Sequence, residues 1–287
     1  MMNRIITRWR GMMEAWRDYP LQQGAVWNGR YRVDRLLGMG SYGQAYVCRD
    51  LESGAVVLLK RNKPSKGQVG IELLRRENAI MEQLSHPQIP VRIAYSKRRR
   101  DEAIIMEYVE GFNLEHAIYE QKMTFDAREA LSMLQQLLGP LRYLHAQGFV
   151  HRDVRIPNVL LQDGVLHLVD FGLACRVGEE LPPALRDALG EGEAMAAQSA
   201  AAVKHRMRGP YPSSDWFGLG HLFLFVMYSG YEHPEGAEEG TWMEELRLEP
   251  EIEQFVAKLL QDEPAWQSTE QCEEELISLL HKLRQAH

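Results

Sequence analysis

The stretch that decides the fold is His151-Arg152-Asp153-Val154-Arg155-Ile156-Pro157-Asn158, which is followed by Asp170-Phe171-Gly172. Both stretches lie on predicted loops beside short strands, where acidic side chains contribute little to packing. Carboxylate and carboxamide oxygens are hard ligands of the kind that magnesium prefers, and a carboxylate can instead accept a proton from a hydroxyl. Asn158 and Asp170 can therefore hold metal, and Asp153 can accept a hydroxyl proton.

A glycine-rich turn stands upstream, in Leu37-Gly38-Met39-Gly40-Ser41-Tyr42-Gly43. The Gly-x-Gly-x-x-Gly spacing lies between two predicted strands, whereas a dinucleotide site would need a helix after the turn. Glycines at such a turn let backbone amides approach phosphates without obstruction by Cβ atoms. A phosphate-binding loop and a plain hairpin turn both remain open on this motif alone.

A lysine and a glutamate follow in the next two predicted elements. Lys60 ends an apolar strand over 55–59, and Glu77 lies on a predicted helix over 71–84. A lysine beside apolar strand residues is unfavourable unless its charge is met. Glu77 could meet that charge and leave the ammonium directed at an anionic ligand, although an ordinary ion pair explains the two residues equally well.

In this order and at this spacing, the motifs resemble those of the eukaryotic-type (Hanks-type) serine/threonine protein kinases. The resemblance covers about residues 24–287, and the compactness of the chain suggests a bacterial member. Asp215-Trp216-Phe217-Gly218 resembles the start of the family's long buried helix, where an aspartate braces the catalytic loop. The pattern of strands first and helices second predicts an α+β protein. The resemblance implies a two-lobed protein-kinase-like fold, with a small antiparallel β-sheet lobe plus a helix and a larger, mainly helical lobe.

The predicted domain organisation follows from these boundaries. Residues 1–23 form a basic amphipathic N-terminal extension, and residues 24–287 form the kinase domain. Within that domain we expect a small lobe over 24–109, a linker over 110–113 and a large lobe over 114–287.

The resemblance implies ATP as the phosphoryl donor and Mg2+ as the cofactor. Asp153 would deprotonate the acceptor hydroxyl, and Arg155, where many members have lysine, would stabilise the moving phosphoryl group. Lys60 would contact the ATP phosphates while paired with Glu77, and Asn158 and Asp170 would hold the metal. The nucleotide-binding set would be Leu37, Gly38, Gly40, Gly43, Ala45, Leu58, Lys60, Met106, Glu107, Val109 and Leu160.

Two departures from the family pattern lie in the implied adenine pocket. Ala45 replaces the usual valine, and Leu58 replaces the usual alanine. One position loses volume and the other gains it, so we expect a compensated repacking. A partly blocked pocket is the alternative.

The segment over 173–210, called the activation segment below, departs further because Ser199 is its only hydroxyl-bearing residue. We expect an enzyme that is not gated by phosphorylation of this segment, with a carboxylate in place of a phosphate beside Arg152. The candidate carboxylates are Glu179, Glu180, Glu191 and Glu193.

The end of the activation segment lacks the family's Ala-Pro-Glu motif, and Gln267 stands where its arginine partner is usual. Loss of both partners of a buried pair can be nearly neutral, so we expect a coherent variant. A helix over 194–203 would take the place of the motif. The basic run 204–208 is interpreted as a solvated face, and binding of an acidic partner is the alternative.

Composition limits the function classes. The chain of 287 residues carries 33 Lys and Arg against 40 Asp and Glu, a net charge of −7 that argues against bulk nucleic-acid binding. Three cysteines without a Cys-x-x-Cys spacing predict a reduced, cytoplasmic compartment. Residues 1–20 combine apolar and arginine positions at helical spacing. They could dock on their own domain or contact a partner or a membrane surface peripherally.

The function predicted from these observations is ATP- and Mg2+-dependent transfer of the γ-phosphoryl group to a Ser or Thr hydroxyl of a protein substrate. A small-molecule kinase with a protein-kinase-like core is the first alternative, because the substrate-docking segment is abnormal. A nucleotide-binding pseudokinase scaffold is the second, and the presence of all five charged or amide catalytic positions argues against it.

Overall fold

The computed structural model describes residues 18–98, 101–189, 200–232 and 240–285, which divide into two compact units. The first unit comprises the described residues of Met1–Gln83, Pro90–Tyr108 and Leu181–Gly192. The second comprises those of Leu84–Ile89, Val109–Glu180 and Glu193–His287.

The first unit is built on a six-stranded antiparallel sheet with the strand order β1-β2-β3-β4-β6-β5. Its strands are β1 (Val26–Trp27), β2 (Tyr31–Met39), β3 (Gly43–Asp50), β4 (Val56–Asn62), β5 (Arg92–Arg98) and β6 (Asp101–Glu107). Side chains along a strand alternate between the two faces of a sheet. One face of this sheet carries the apolar core of the unit, which includes Trp27, Tyr46, Cys48, Val57, Leu59 and Ile105.

Helix α1 (Gly67–Met81) packs against β4, β5 and β6. It begins before the helix expected over 71–84, because a short 3-10 helix at Pro64–Lys66 leads directly into it. Its buried side chains include Leu73, Leu74, Ile80 and Met81, which gives the helix the apolar stripe expected from the sequence.

Three leucines at a spacing of four residues, Leu181, Leu185 and Leu189, are buried in and beside a second helix of this unit. This helix, α4 (Pro183–Leu189), packs against α1. It belongs to the activation segment and was not predicted from the sequence.

The second unit is mainly helical. Its helices are α2 (Leu114–Tyr119), α3 (Ala127–Ala146), α5 (Ala200–Met207), α6 (Pro212–Tyr228), α7 (Trp242–Leu246), α8 (Pro250–Leu260) and α9 (Thr269–Gln285). Three strands, β7 (Phe112–Asn113), β9 (Val159–Gln162) and β10 (Val165–Leu168), form a small antiparallel sheet. A second pair joins β8 (Phe149–Val150) to β11 (Cys175–Arg176).

Helix α3 contains Pro140 yet runs unbroken, so a break or restart at this proline, which its chemistry would favour, does not occur. Proline lacks the N–H that would bond to the carbonyl of Gln136. That carbonyl instead accepts a hydrogen bond from Gln88 Nε2 at 3.0 Å. A side chain from outside the helix therefore replaces the missing backbone bond.

The described elements confirm the predicted α+β class, with an antiparallel sheet and helix in one unit and a mainly helical second unit. Of the helix expected over 194–203, residues 200–203 belong to α5, and the earlier part lies outside the described residues. Among the residues that the structure describes, no helix is both long and apolar enough to cross a membrane.

Candidate active site

The register of the sheet in the first unit brings much of the predicted nucleotide-binding set onto one face. Residues directly opposite each other in an antiparallel pair point to the same face. Gly38 lies opposite Ala45, Ala45 opposite Lys60, and Leu58 opposite Met106. Because Leu58 and Lys60 are two apart on β4, all five positions share the face opposite the apolar core.

Lys60 and Glu77 form the ion pair that the sequence predicts. Lys60 Nζ lies 2.6 Å from Glu77 Oε1, and the two side chains are 18% and 3% exposed. A carboxylate this buried would be unfavourable without a charged partner. The pair therefore holds the lysine ammonium on the sheet face that carries Ala45 and Leu58.

The glycine-rich turn connects β2 to β3. The Gly40 amide donates to the Gly43 carbonyl at 2.9 Å and closes the turn. A Cβ atom at Gly43 would lie 3.4 Å from Lys60 Cε and 3.3 Å from the Arg61 carbonyl, so glycine leaves room for the lysine. Leu37 and Met39 are about half exposed on either side of Gly38.

The catalytic-loop candidates in the second unit form a tight cluster around Asp153. Asn158 Nδ2 donates to Asp153 Oδ2 at 2.7 Å and to the Asp153 carbonyl at 3.0 Å. Arg155 Nε lies 3.0 Å from Asp153 Oδ1. The hydrogen bond from Asn158 therefore fixes the orientation of this carboxylate, the ion pair with Arg155 lies at its other oxygen, and lone pairs remain to accept a proton.

The loop backbone is held by Asp215, as the resemblance implied. Its Oδ2 accepts from the His151 amide at 2.8 Å, and its Oδ1 accepts from the Arg152 amide at 2.7 Å. Asp215 lies in the first turn of α6 and is fully buried. Burial works to raise the pKa of Asp215. The hydrogen bond from His145, together with the electrostatic interactions with His145 and His151 and the hydrogen bond from the His151 amide, outweighs burial and holds the pKa below its ordinary value.

Two residues that support Asp215 were missed from the sequence. His145 Nε2 lies 2.8 Å from Asp215 Oδ2, and His145 Nδ1 lies 2.6 Å from Thr269 Oγ1. The Thr269 hydroxyl also accepts from Trp216 Nε1 at 3.1 Å. His145 follows Leu141 by four residues on α3, and this helical spacing could have placed it on the buried face. Thr269 is distant in sequence, and no pattern indicated it.

Asp170 and Asn158 lie at the same end of the β9–β10 hairpin. Val159 pairs with Leu168, and the Val169 amide donates to the Asn158 carbonyl at 3.0 Å. Asp170 has a left-handed backbone with φ of 65°, and its side chain accepts from the Gly172 amide. Phe171 is buried with its ring centroid 4.9 Å from that of His151.

The two predicted metal ligands suit Mg2+ by the chemistry of their donors, a carboxylate and a carboxamide oxygen. The side-chain nitrogen of Asn158 donates to Asp153. The Oδ1 atom of Asn158 is therefore the atom that would act as the metal ligand. Among the described residues, no group of three or more His, Cys, Asp and Glu side chains could hold a metal by themselves.

Of the remaining nucleotide-binding candidates, one lies in the first unit and two lie in the second. Glu107 ends β6, where its amide donates to the Val91 carbonyl at 2.8 Å and its carboxylate accepts from the Val91 amide. Val109 and Leu160 belong to the second unit, the first buried and the second on β9.

Arg152 joins the two ends of the activation segment. Its side chain donates to the Leu173 carbonyl at 3.1 Å and to the Arg208 carbonyl at 2.6 Å. Glu179 accepts from the Arg176 amide at 3.0 Å. The proposed pairing of Arg152 with a carboxylate stays a prediction, since Glu191, Glu193 and the hydroxyl-bearing Ser199 lie outside the described residues.

The interpretation of the basic run 204–208 as a solvated face is wrong for Arg206. Its Nη1 donates to the Leu260 carbonyl at 2.8 Å and lies 2.9 Å from Asp262 Oδ1. Its guanidinium carbon lies 4.0 Å from the centre of the Phe217 ring. The sequence suggested a solvated face because nothing local marks Phe217 or Leu260 as a neighbour, whereas Lys204 and His205 are exposed as expected.

Comparisons with known proteins show the family to which the chain belongs. A family model described as "Protein kinase domain" matches residues 31–287. The probable serine/threonine-protein kinase YbdM of Bacillus subtilis is 33% identical over 261 residues, which is 90% of this chain and 93% of the relative. Serine/threonine-protein kinase C of Synechocystis is 31% identical over 70% of this chain and 39% of its own length. These findings confirm the predicted resemblance to the serine/threonine protein kinases and the predicted enzyme class.

Proposed function

Because the chain belongs to the protein kinase family, we propose that it transfers the γ-phosphoryl group of ATP, with Mg2+, to a Ser or Thr hydroxyl of a protein. The observation that carries this proposal is the Asp153 carboxylate, oriented by Asn158 and Arg155. Its loop is fixed through two amides by the buried Asp215. Such an arrangement serves phosphoryl transfer, where positioning and electrostatic stabilisation are the main contributions of the protein.

In the proposed mechanism, Asp153 orients the acceptor hydroxyl and takes its proton on a carboxylate oxygen. The Asp153–Arg155 contact holds the guanidinium beside the base, and 56% of the arginine side chain is exposed and available to a second anion. Arg155 then stabilises the negative charge of the phosphoryl group in transfer. Asn158 keeps the carboxylate in one orientation throughout.

The nucleotide is assigned to the sheet face of the first unit. Lys60, neutralised on one side by Glu77, would bind the α- and β-phosphates, and the amides of Gly38, Gly40 and Gly43 would cover them. Ala45, Leu58 and Met106 share that face and would contact adenine. Leu37, Glu107, Val109 and Leu160 complete the proposed set. Asn158 and Asp170 would hold Mg2+, which neutralises phosphate charge when bound.

The test is phosphate transfer from γ-labelled ATP to the chain itself and to a generic basic protein, in wild type and in Asp153→Asn. Loss of the base is expected to lower kcat about 10²–10⁴-fold, with ATP binding retained. Asp163→Asn is the matched control, because Asp163 lies in the β9–β10 turn with φ of 49°, which asparagine tolerates.

Three outcomes would contradict the proposal. Equal labelling by wild type and Asp153→Asn would show that Asp153 is not the catalytic base. No label on protein, with tight binding of ATP and Mg2+, would indicate a small-molecule acceptor. Absence of both transfer and nucleotide binding would indicate a scaffold with a pocket blocked at Leu58.

For the N-terminal extension we propose a peripheral contact with an anionic membrane surface from the cytoplasm, on the basis of its arginines and tryptophans. Its residues 1–17 lie outside the described part of the chain. Arg4→Glu with Arg8→Glu should reduce sedimentation with vesicles containing phosphatidylserine. Equal sedimentation of variant and wild type would contradict this proposal.

A further inference from the structure

A short stretch before the first strand, Asp18–Leu21, bonds to the sheet of the first unit, and we call it the strap. We propose that the strap positions the Lys60–Glu77 pair. The positioning residues are Asp18 of the strap and Arg61 of β4, which bonds to the strap. This inference rests on the proposed function and adds to it a source of control outside the catalytic motifs.

The first contact of the strap is with Arg61, the residue next to Lys60 on β4. Arg61 is only 4% exposed and points to the face opposite Lys60. Its Nη2 donates to the Tyr19 carbonyl at 2.9 Å, and its Nε donates to Gln44 Oε1 at 2.6 Å. Because a buried guanidinium needs its hydrogen-bond acceptors, the strap carbonyl is part of what holds β4 in place.

The second contact is with β3, the strand that follows the glycine-rich turn. Gln44 is fully buried next to Gly43, and its Nε2 donates to the Asp18 carbonyl. The Leu21 amide donates to the Tyr46 hydroxyl at 3.1 Å, and that hydroxyl donates to Gln44 Oε1 at 2.9 Å. The strap thus bonds to the two strands that carry the turn and the lysine.

The third contact is with the start of the helix that carries Glu77. Asp18 Oδ1 accepts from the Ser65 amide at 2.9 Å, and Asp18 Oδ2 accepts from the Ser65 hydroxyl at 2.7 Å. Ser65 lies in the 3-10 helix that leads into α1. Charge-assisted hydrogen bonds of this kind are about twice as strong as neutral ones.

These contacts connect the two elements whose relative position sets the Lys60–Glu77 distance. One carboxylate bonds to the entry of α1, and the neighbouring carbonyls bond to β3 and β4. The Arg30–Asp50 pair is a useful contrast in the same unit. It is bidentate and its aspartate is 5% exposed, yet it joins the ends of β2 and β3 and does not involve β4 or α1.

The experiment compares Asp18→Ala with Arg30→Gln in the full chain. We expect Asp18→Ala to lower kcat/KM for ATP about tenfold, with the KM for the protein acceptor unchanged. Arg30→Gln should lower thermal stability at least as much while kcat/KM for ATP stays within twofold of wild type. Ser65→Ala added to Asp18→Ala should cause no further loss, because both changes remove the same contact.

A second measurement does not depend on activity. Amide hydrogen exchange over residues 67–74, the first turns of α1, should accelerate in Asp18→Ala and remain as in wild type in Arg30→Gln. Unchanged exchange and unchanged kcat/KM in Asp18→Ala would overturn the inference, as would equal losses in the two variants. If wild type transfers no phosphate from ATP, the proposed function fails, and hydrogen exchange still decides whether the strap positions α1.

Discussion

The candidate catalytic loop at 151–158 and the C-terminal end of the activation segment at 200–210 are both fixed by charged side chains, but these side chains differ in burial. Asp215, which holds the loop, is fully buried and bonds to two amides and to His145. Arg206, which holds the segment end, is 30% exposed, and its carboxylate partner Asp262 is 96% exposed. Water competes for the second pair and is excluded from the first.

This difference in burial indicates which contacts of Arg206 stabilise the end of the activation segment. An exposed carboxylate such as Asp262 contributes little. The Leu260 carbonyl and the Phe217 ring are the partners that hold the Arg206 guanidinium. Partial burial lowers the pKa of Arg206, and Asp262 opposes this only in part. Arg206 is therefore held at this end of the segment by a backbone carbonyl and an aromatic ring, and Arg152 bonds to the nearby Arg208 carbonyl.

The largest expected effect is that of Asp215→Asn. The amide keeps the shape of the side chain but cannot accept from both backbone amides and His145. We expect a loss of ~3–5 kcal/mol in the free energy of unfolding and loss of most activity, measured by denaturant unfolding and by kcat. Asp262→Asn is the matched control, and a similar loss in that variant would contradict the comparison.

A smaller effect is expected from His145→Gln, and it depends on pH. The pKa of Asp215 is lowered in the fold, so its contribution to stability is present above its unfolded-state pKa and is lost as pH falls through the folded-state pKa. Removal of His145 should raise that folded-state pKa and move acid unfolding to higher pH. Circular dichroism against pH tests this, with the exposed His281→Gln as control. An unchanged acid midpoint would count against the role of His145.

Arg206→Met should have an intermediate effect on the segment end. Methionine keeps apolar contact with Phe217 but loses the hydrogen bond to the Leu260 carbonyl, so we expect a loss of ~1–2 kcal/mol. Asp262→Asn should cost less than ~1 kcal/mol. The melting temperatures of the two variants show which partner of Arg206 contributes more to stability. If Asp262→Asn proves the more damaging, the exposed ion pair and not the packed guanidinium holds the segment.

The smallest effect is expected from Ser199→Ala, the removal of the sole hydroxyl-bearing residue of the activation segment. Arg152 already bonds to carbonyls at both ends of that segment. We therefore expect kcat within twofold of wild type, measured by transfer from labelled ATP. Loss of most activity in this variant would show that phosphorylation of Ser199 gates the enzyme.

Much of the fold and the chemical core of the site could be predicted from residue type and spacing. The antiparallel sheet followed by helices is confirmed, and Lys60 pairs with Glu77 as expected. Helix α3 runs through Pro140 without a restart, because Gln88 donates from a distant part of the chain to the carbonyl that the proline leaves without its helical N–H. Helix α4 was missed because it is only seven residues long and because two prolines, Pro182 and Pro183, stand at its start.

The sequence by itself determined which groups could do the chemistry, because donor atoms and glycine turns are local properties of residue type. Tertiary structure decided which groups hold them: His145 and Thr269 beneath Asp215, Leu260 beside Arg206, and the strap beside Arg61. Each of these contacts joins residues far apart in the chain. Burial, which sets the strength of a charge or a hydrogen bond, exists only once those distant segments have packed together.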